Sequence, residues 1–252
     1  MDQTEEENKI SLIPDLNNMV IQYFSSLEEV LTYYNVSGIP WSSLPKDYPL
    51  PTMDDCAGKG ELLSLIYLHS QNKECTDKAM NYASLNGHLE VVKYLHSIQK
   101  ECTHSAMDWA CMSGHLEVVK YLRSIGKDCS YIAMDQAALQ NQLEVVKYLH
   151  SIGKECSQNA LDWASENGNL ELVKYLQSIE AKCTTRALNQ AAKYGHLEVV
   201  QYLHSVGKFG TLEALDFARS NGHTKVVEYL EAHPRLLLNC LYDCPLWNKT
   251  IF

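Results

Sequence analysis

The sequence lacks the features of a membrane protein, a secreted protein or a nucleic-acid-binding protein. No apolar run is as long as the roughly 18 residues that a membrane-spanning helix needs. The start, MDQTEEENKI, lacks the basic stretch and apolar core of a signal peptide, so we expect a cytoplasmic or nuclear protein. Lys and Arg number 21 against 31 Asp and Glu, and they form no basic stripe. Nucleic acid and anionic membrane are therefore not expected partners.

Catalytic motifs are missing as well. The chain has no phosphate-binding glycine loop, no nucleophile elbow, no H-E-x-x-H and no Rossmann glycine pattern. Its apolar fraction of 46% and charged fraction of 21% are ordinary for a folded, soluble chain. We therefore predict a monomeric protein that is not an enzyme and holds no cofactor.

A 27-residue repeat organises most of the chain. The string HLEVVKYLH begins at His88, and related strings begin every 27 residues up to His223. Cysteines from Cys75 and alanines from Ala83 recur at the same step, and a decayed copy that includes Met53 comes first. The units are numbered R1 (48–74), R2 (75–101), R3 (102–128), R4 (129–155), R5 (156–182), R6 (183–209) and R7 (210–236).

Each unit reads as two short helices. In R3, Thr103 is a suitable N-cap, Gly114 ends the first helix and His115 opens the second. The apolar residues of the second helix recur at three- and four-residue spacing, which indicates one buried stripe: Leu116, Val118, Val119, Leu122 and Ile125. A single helix pair cannot bury this stripe alone, so the units must stack. The predicted fold is an all-α solenoid of helix-turn-helix repeats.

These units resemble the ankyrin repeat in their small residues before Gly-His, the following Leu-x-Val-Val-x-x-Leu and a later Gly. They have 27 residues where the family has about 33, and Ala-Met-Asp replaces Pro-Leu-His, so we expect tight loops without β-hairpins. Compact, near-identical units are similar to the large ankyrin families of amoebae and their giant viruses. The resemblance implies a scaffold that binds a partner protein on the concave face formed by the first helices.

Candidate partner-binding residues are those that differ between copies on the first helix, because invariant positions serve contacts that every unit makes. A second interpretation is that the tryptophans only fill grooves between units. The candidates are Tyr82, His104, Trp109, Met112, Tyr131, Gln136, Gln158, Trp163, Arg186, Gln190 and Phe217.

Histidines and cysteines that recur once per unit favour structural roles. Equivalent residues of neighbouring units are separated by roughly 8–10 Å, too far for shared zinc ligands or for a disulfide. We therefore predict no metal site, and we expect the repeat cysteines to be small buried residues. The recurrent Asp108, Asp135, Asp162 and Asp216 share one repeat position with Asn81 and Asn189, which indicates hydrogen bonding between units and not acid–base catalysis.

Residues 11–46 do not follow the repeat and read as helices, one of them with Ser26 as its N-cap. They resemble an F-box in Ile13-Pro14, Tyr23-Phe24, Val36-Ser37 and Trp41. The resemblance implies docking on the Skp adaptor of a cullin ubiquitin ligase, whereas a second interpretation is a helical cap on R1. The candidate adaptor-binding residues are Pro14, Val20, Ile21, Phe24, Leu27 and Leu31.

The predicted organisation is an N-terminal segment (1–46), the repeats (47–236) and a capping tail (237–252). Leu236, Leu237, Leu238 and Leu241 are expected to fold over R7, whereas a second interpretation is that the stretch LYDCPLWNKTIF (241–252) contacts a partner. Two functions remain open: a substrate receptor of a ubiquitin ligase, or a binding scaffold or decoy without a ligase.

Overall fold

The computed structural model describes residues 24–237, and every regular element in that range is a helix. The predicted all-α fold of a helical repeat solenoid is therefore confirmed. The chain divides into two compact units, Met1–Ala106 and Met107–Phe252. No described helix is both long enough and apolar enough to cross a membrane.

The described part of the first unit contains α1 and the helix pairs of R1 and R2. The helices of this part are α1 (Leu27–Ser37), α2 (Met53–Lys59), α3 (Leu62–Ser70), α4 (Asp77–Leu85) and α5 (Leu89–Ser97).

The second unit contains the helix pairs of R4 to R7, and α6 of R3 includes residues on both sides of the boundary. Its helices are α6 (His104–Ser113), α7 (Leu116–Ser124), α8 (Ala133–Leu139), α9 (Leu143–Ser151), α10 (Gln158–Glu166), α11 (Leu170–Ser178), α12 (Arg186–Lys193), α13 (Leu197–Ser205), α14 (Leu212–Ser220) and α15 (Thr224–Ala232). Short 3₁₀ turns occupy Trp41–Ser43 and Pro234–Leu236.

Side-chain hydrogen bonds support the starts of the first helices of R5 and R6. The Ser157 hydroxyl accepts the Asn159 N–H at 3.1 Å, and the Thr184 hydroxyl accepts the Arg186 N–H at 3.0 Å. Both contacts satisfy backbone donors that a helix start leaves without partners. At the other end, Gly168 has φ +73°, a left-handed conformation that glycine adopts without steric cost.

The second helices supply the apolar core. Val118, Val119 and Leu122 are at most 1% exposed, and Leu116 and Ile125 are half-buried, so the predicted stripe is confirmed. Each fully buried Val or Leu contributes about 1.5–3 kcal/mol, and this burial is what makes stacking favourable.

In the first unit, α1 packs beside R1. Ser26 accepts the Glu29 N–H at 3.2 Å, as predicted for the N-cap. The Glu28 carboxylate accepts the backbone N–H groups of Leu63 and Ser64 at 3.1 and 2.7 Å, at the start of α3. Leu27, Val30, Leu31 and Tyr34 are at most 2% exposed. The side chains of α1 thus cover and cap the second helix of R1.

At the other end of the described chain, Leu236 and Leu237 are 1% and 2% exposed, which confirms that they fold against R7. The other two leucines of this prediction, Leu238 and Leu241, lie outside the described residues. No strand forms within residues 24–237, where the one β-type contact is an isolated bridge between Gly210 and Leu237. The expectation of loops without hairpins is confirmed for this range.

Candidate functional site

A ladder of hydrogen bonds joins the first helices of successive repeats. A carboxylate or amide oxygen of one first helix accepts the backbone N–H of the Ser or Thr that lies 22 positions later, just before the next first helix. The N···O distances lie between 2.7 and 3.3 Å. The pairs are Asp54–Thr76, Asn81–Thr103, Asp108–Ser130, Asp135–Ser157, Asp162–Thr184 and Asn189–Thr211.

The ladder confirms the predicted hydrogen-bonding role of Asn81, Asp108, Asp135, Asp162 and Asn189. For Asp216 of R7 the prediction is not confirmed, because this residue is exposed and no described residue donates a hydrogen bond to it. Asp135, Asp162 and Asn189 are at most 5% exposed, and a backbone donor occupies an oxygen of each. Because Asn accepts the same bond, the position needs an acceptor and not a charge. It therefore fixes the register in which neighbouring first helices present their variable side chains.

A cavity between the first helices of R6 and R7 brings together three candidate partner-binding residues. It has a volume of about 310 Å³ and is lined by Thr185, Arg186, Asn189, Gln190, Glu213 and Phe217. Arg186, Gln190 and Phe217 are the candidates among them. These three side chains, which the ladder does not use, thus line a concave site together with the ladder residue Asn189.

The acidic groups at this cavity already have partners. Glu213 accepts a hydrogen bond from the Asn189 amide at 3.2 Å, and Glu166 accepts one from the Gln190 amide at 3.0 Å. Lys193 Nζ lies 5.7 Å from the ring centroid of Phe217, a cation–π contact. Arg186 is exposed, and its guanidinium makes no ion pair with a described residue. This guanidinium is therefore available to an incoming acceptor.

Tyr131 and Ile132 form a second exposed feature of the same unit. Tyr131 is 87% exposed and Ile132 is 38% exposed, in a turn immediately before α8. Exposed aromatic side chains that need no internal partner are characteristic of binding hot spots. Among the described residues, Tyr131 and Trp163 make no ring contact with each other, so the structure does not join these two members of the predicted aromatic set.

The remaining candidates differ in exposure. Gln158 and His104 are exposed. The half-buried candidates are Tyr82, Trp109, Met112, Gln136 and Trp163. The rings of Trp109 and Trp163 are therefore partly packed and partly at the surface. This half-burial fits both interpretations of the tryptophans, as residues that bind a partner and as residues that fill grooves between units.

The recurrent histidines have a role that the sequence did not reveal. His196 Nε2 lies 2.9 Å from the Glu166 carbonyl oxygen, and its ring lies against Gly168, where an added Cβ would come within 2.3 Å of Nδ1. His223 repeats the arrangement at Gly195 and His88 at Gly60. Each of these histidines therefore occupies the space beside the glycine of the previous repeat, 28 residues earlier, where a larger residue would have a Cβ.

The cysteines are only partly as expected. Cys129 is 8% exposed, but the repeat cysteines Cys75, Cys102, Cys156 and Cys183 are half-buried, since they lie where a loop enters the stack. Cys111, which is outside the repeat register, is fully buried, and its thiol hydrogen-bonds that of Cys129. This bond lowers the pKa of Cys129 and raises the pKa of Cys111. All seven described cysteines are free.

The candidate adaptor-binding residues fall into two groups. Pro14, Val20 and Ile21 lie outside the described residues. Phe24 is half-buried, with its ring centroid 5.4 Å from that of Tyr33, whereas Leu27 and Leu31 are buried. Within residues 24–237, no group of three or more His, Cys, Asp or Glu is arranged to hold a metal ion.

Comparison with known families identifies the repeat. The family model described as Ankyrin repeats (3 copies) matches residues 55–133 and again residues 134–211. The two matches cover more than half of the 252 residues. A comparison with curated proteins finds no match.

Proposed function

Since the chain belongs to the ankyrin repeat family, we propose that it is a protein–protein interaction scaffold that binds a partner protein on the first-helix surface of the second unit. Arrays of stacked repeats bind through extended surfaces built from equivalent positions of several units. The observation that carries the proposal is the cavity at Arg186, Gln190 and Phe217.

The chemistry of the surface supports this assignment. Tyr131 supplies a large exposed aromatic side chain. Arg186 supplies a guanidinium that makes no ion pair with a described residue, and it lines the same cavity as the aromatic ring of Phe217. Tyr, Trp and Arg are the residues most enriched at binding hot spots. The second-helix surface differs, because its charges already pair with each other: Lys147 meets Glu144 at 2.7 Å and Lys174 meets Glu171 at 3.0 Å.

The test is affinity capture with the full chain from cells of its source, quantified by mass spectrometry. Tyr131→Ala and Arg186→Glu change the proposed surface, and Lys147→Ala and Lys174→Ala are matched controls on the second helices. A partner retained by the wild type and the controls, and reduced at least tenfold by both surface variants, supports the proposal. Calorimetry with that purified protein then measures the affinity. Equal capture by all five proteins excludes this surface.

A second candidate function concerns the N-terminal segment. We propose that residues 11–46 dock the Skp adaptor of a cullin ubiquitin ligase, so that the scaffold presents its partner as a substrate. The observation in its favour is Val36, a residue of the F-box-like pattern that is 84% exposed on α1. The burial of Leu27 and Leu31 against the first unit favours the capping interpretation instead.

Calorimetry of the full chain with purified Skp adaptor decides between these roles. Micromolar or tighter binding that is lost in Val36→Asp and in Ile21→Asp, and kept in Lys147→Ala, supports the ligase role. No binding by the full chain removes the ligase role and leaves the scaffold.

A further inference from the structure

The outer face of R7, the last repeat, keeps apolar positions that every other repeat of its unit buries. Leu161 and Leu188 are fully buried, but Leu215 at the same repeat position is half-buried. Likewise Val200 is fully buried, whereas its equivalent Val227 is half-buried. The face holds a cavity of about 300 Å³ lined by Ala218, Arg219, Gly222, Thr224, Val227 and Glu228.

The polar contacts of this face are also incomplete. Asp216 stands at the ladder position but is exposed, and no described residue donates a hydrogen bond to it. At Gly195 an added Cβ would meet the His223 ring at 2.5 Å, whereas at Gly222 it would meet nothing within 4 Å among the described residues. The face is thus built to receive another unit.

The chain re-enters the repeat register at Leu237. Leu237 follows Gly210 by 27 residues, and the Gly210 N–H donates to the Leu236 carbonyl oxygen at 2.9 Å. The next residue, Leu238, follows Asp216 by 22 residues, the spacing of every ladder pair. In this register Asp243 falls on the recurrent Asp or Asn, and Leu241 and Tyr242 fall on its two apolar predecessors.

We propose that residues 238–252 pack on the outer face of R7 as a half-repeat, with the Leu238 N–H donating to the Asp216 carboxylate. The segment is rich in large apolar residues, which cannot favourably remain in water: Leu238, Leu241, Tyr242, Leu246, Trp247, Ile251 and Phe252. Its length is sufficient, because 15 residues span up to about 50 Å and the nine-residue α15 is about 13 Å long. The occupant of the face is therefore the chain's own tail, which keeps copies of the protein from stacking end to end.

Photo-cross-linking of the full chain tests the occupant. A benzoylphenylalanine replaces Thr224, an exposed residue that lines the cavity, and a matched control replaces Glu198, an exposed residue of α13. Mixing ¹⁵N-labelled and unlabelled protein separates cross-links within one chain from those between chains. The expected product joins position 224 to a peptide from residues 238–252 of the same chain and is absent from the control. A cross-link between chains assigns the face to a second copy, and the absence of any tail product overturns the proposal.

The register is tested separately by urea unfolding of full-length variants. Asp216→Ala is expected to lower the midpoint of unfolding, while Asp216→Asn, which keeps the acceptor, is expected to match the wild type. Equal midpoints for all three proteins contradict the Leu238–Asp216 hydrogen bond. The Asn variant separates loss of this acceptor from a general effect of substitution at the site.

Discussion

The Asp162 carboxylate holds Thr184 of the following repeat through two contacts, accepting its backbone N–H at 3.1 Å and its hydroxyl at 2.7 Å. The same Thr184 hydroxyl accepts the N–H of Arg186, the first residue of α12, at 3.0 Å. One buried acidic side chain therefore positions the residue that hydrogen-bonds the start of the next first helix. This couples the stacking of R5 on R6 to the position of Arg186 at the cavity.

We expect Asp162→Ala to lower the free energy of unfolding by about 2 kcal/mol, because it removes a charged acceptor and leaves the N–H of the half-buried Thr184 without this partner. Asp162→Asn keeps an acceptor and is expected to cost less than half as much, since R2 and R6 carry Asn at this position. Urea unfolding followed by circular dichroism measures both. An equal loss in the two variants indicates that the charge, and not the acceptor, is what matters.

The contact between Gly168 and His196 predicts a steric coupling between repeats. Gly168→Ala places a Cβ within 2.3 Å of the imidazole and also strains a φ of +73°, so we expect a cost of about 2–4 kcal/mol. Gly153→Ala is the matched control, because its φ is +80° but its Cβ meets nothing within 4 Å; we expect about 1–2 kcal/mol there. Equal costs in urea unfolding contradict the coupling.

R4 and R5 suggest a variant that restores stability. Asn141 of R4 takes the place that Gly168 has in R5, with φ +62°. Asn169 of R5 takes the place that His196 has in R6, and it accepts the Leu172 N–H of its own helix at 3.0 Å. We expect Gly168→Asn to be tolerated better when combined with His196→Asn. A double-mutant cycle in urea is expected to give a favourable interaction of about 1 kcal/mol or more. Additive costs contradict the steric explanation.

The sequence predicted the helices well because the 27-residue period repeats every cap and every apolar position. The hydrogen-bonding role of Asp162 followed from its exchange with Asn, but its partner, the Thr just before the next first helix, did not. The Gly168–His196 contact and the Cys111–Cys129 bond were missed, because both join repeats through side-chain packing across loops. Only the 28-residue offset between Gly168 and His196, and the matching pair Asn141–Asn169, hint at the first of these contacts.

The candidate surface was predictable as a set of positions but not as a shape. Arg186, Gln190 and Phe217 occupy positions that vary between copies, and the structure places them around one cavity. Which variable side chains lie together depends on the stacking of α12 on α14. The repeat pattern also does not predict how exposed each variable side chain is, since Tyr131 is 87% exposed while Trp163 is half-buried.

We expect the proposed binding surface to be separable from stability. Tyr131→Ala and Arg186→Glu alter exposed side chains that make no described ion pair or ring contact, so the free energy of unfolding is expected to change by less than about 0.5 kcal/mol. Urea unfolding of both variants, with Leu176→Ala as a buried comparison expected to cost about 2–5 kcal/mol, checks this. A large loss in either surface variant assigns that residue to packing.

Of Cys129, Cys156 and Cys183, the first is expected to ionise at the lowest pH, because its thiol pairs with that of Cys111. The hydrogen bond from Cys111 lowers the pKa of Cys129, and Lys154 adds to the effect, whereas burial and the charges of Asp128 and Asp108 oppose it. Burial raises the pKa of Cys156 and of Cys183. A thiol with a lowered pKa becomes a thiolate at lower pH, and the thiolate is the form that alkylates. As pH rises, Cys129 is therefore expected to reach half of its maximal alkylation rate before Cys156 and Cys183 do.

Iodoacetamide labelling of the full chain at a series of pH values, read peptide by peptide in a mass spectrometer, gives the three midpoints. Comparing midpoints and not rates removes the effect of the low exposure of Cys129. Cys111→Ala is the control, since Ala138 and Ala192 stand at the same repeat position, so the smaller side chain fits. It is expected to raise the Cys129 midpoint, because the S–H donor is gone, and to leave Cys156 and Cys183 unchanged. A Cys129 midpoint that equals the other two, or that does not respond to Cys111→Ala, contradicts the thiol hydrogen bond.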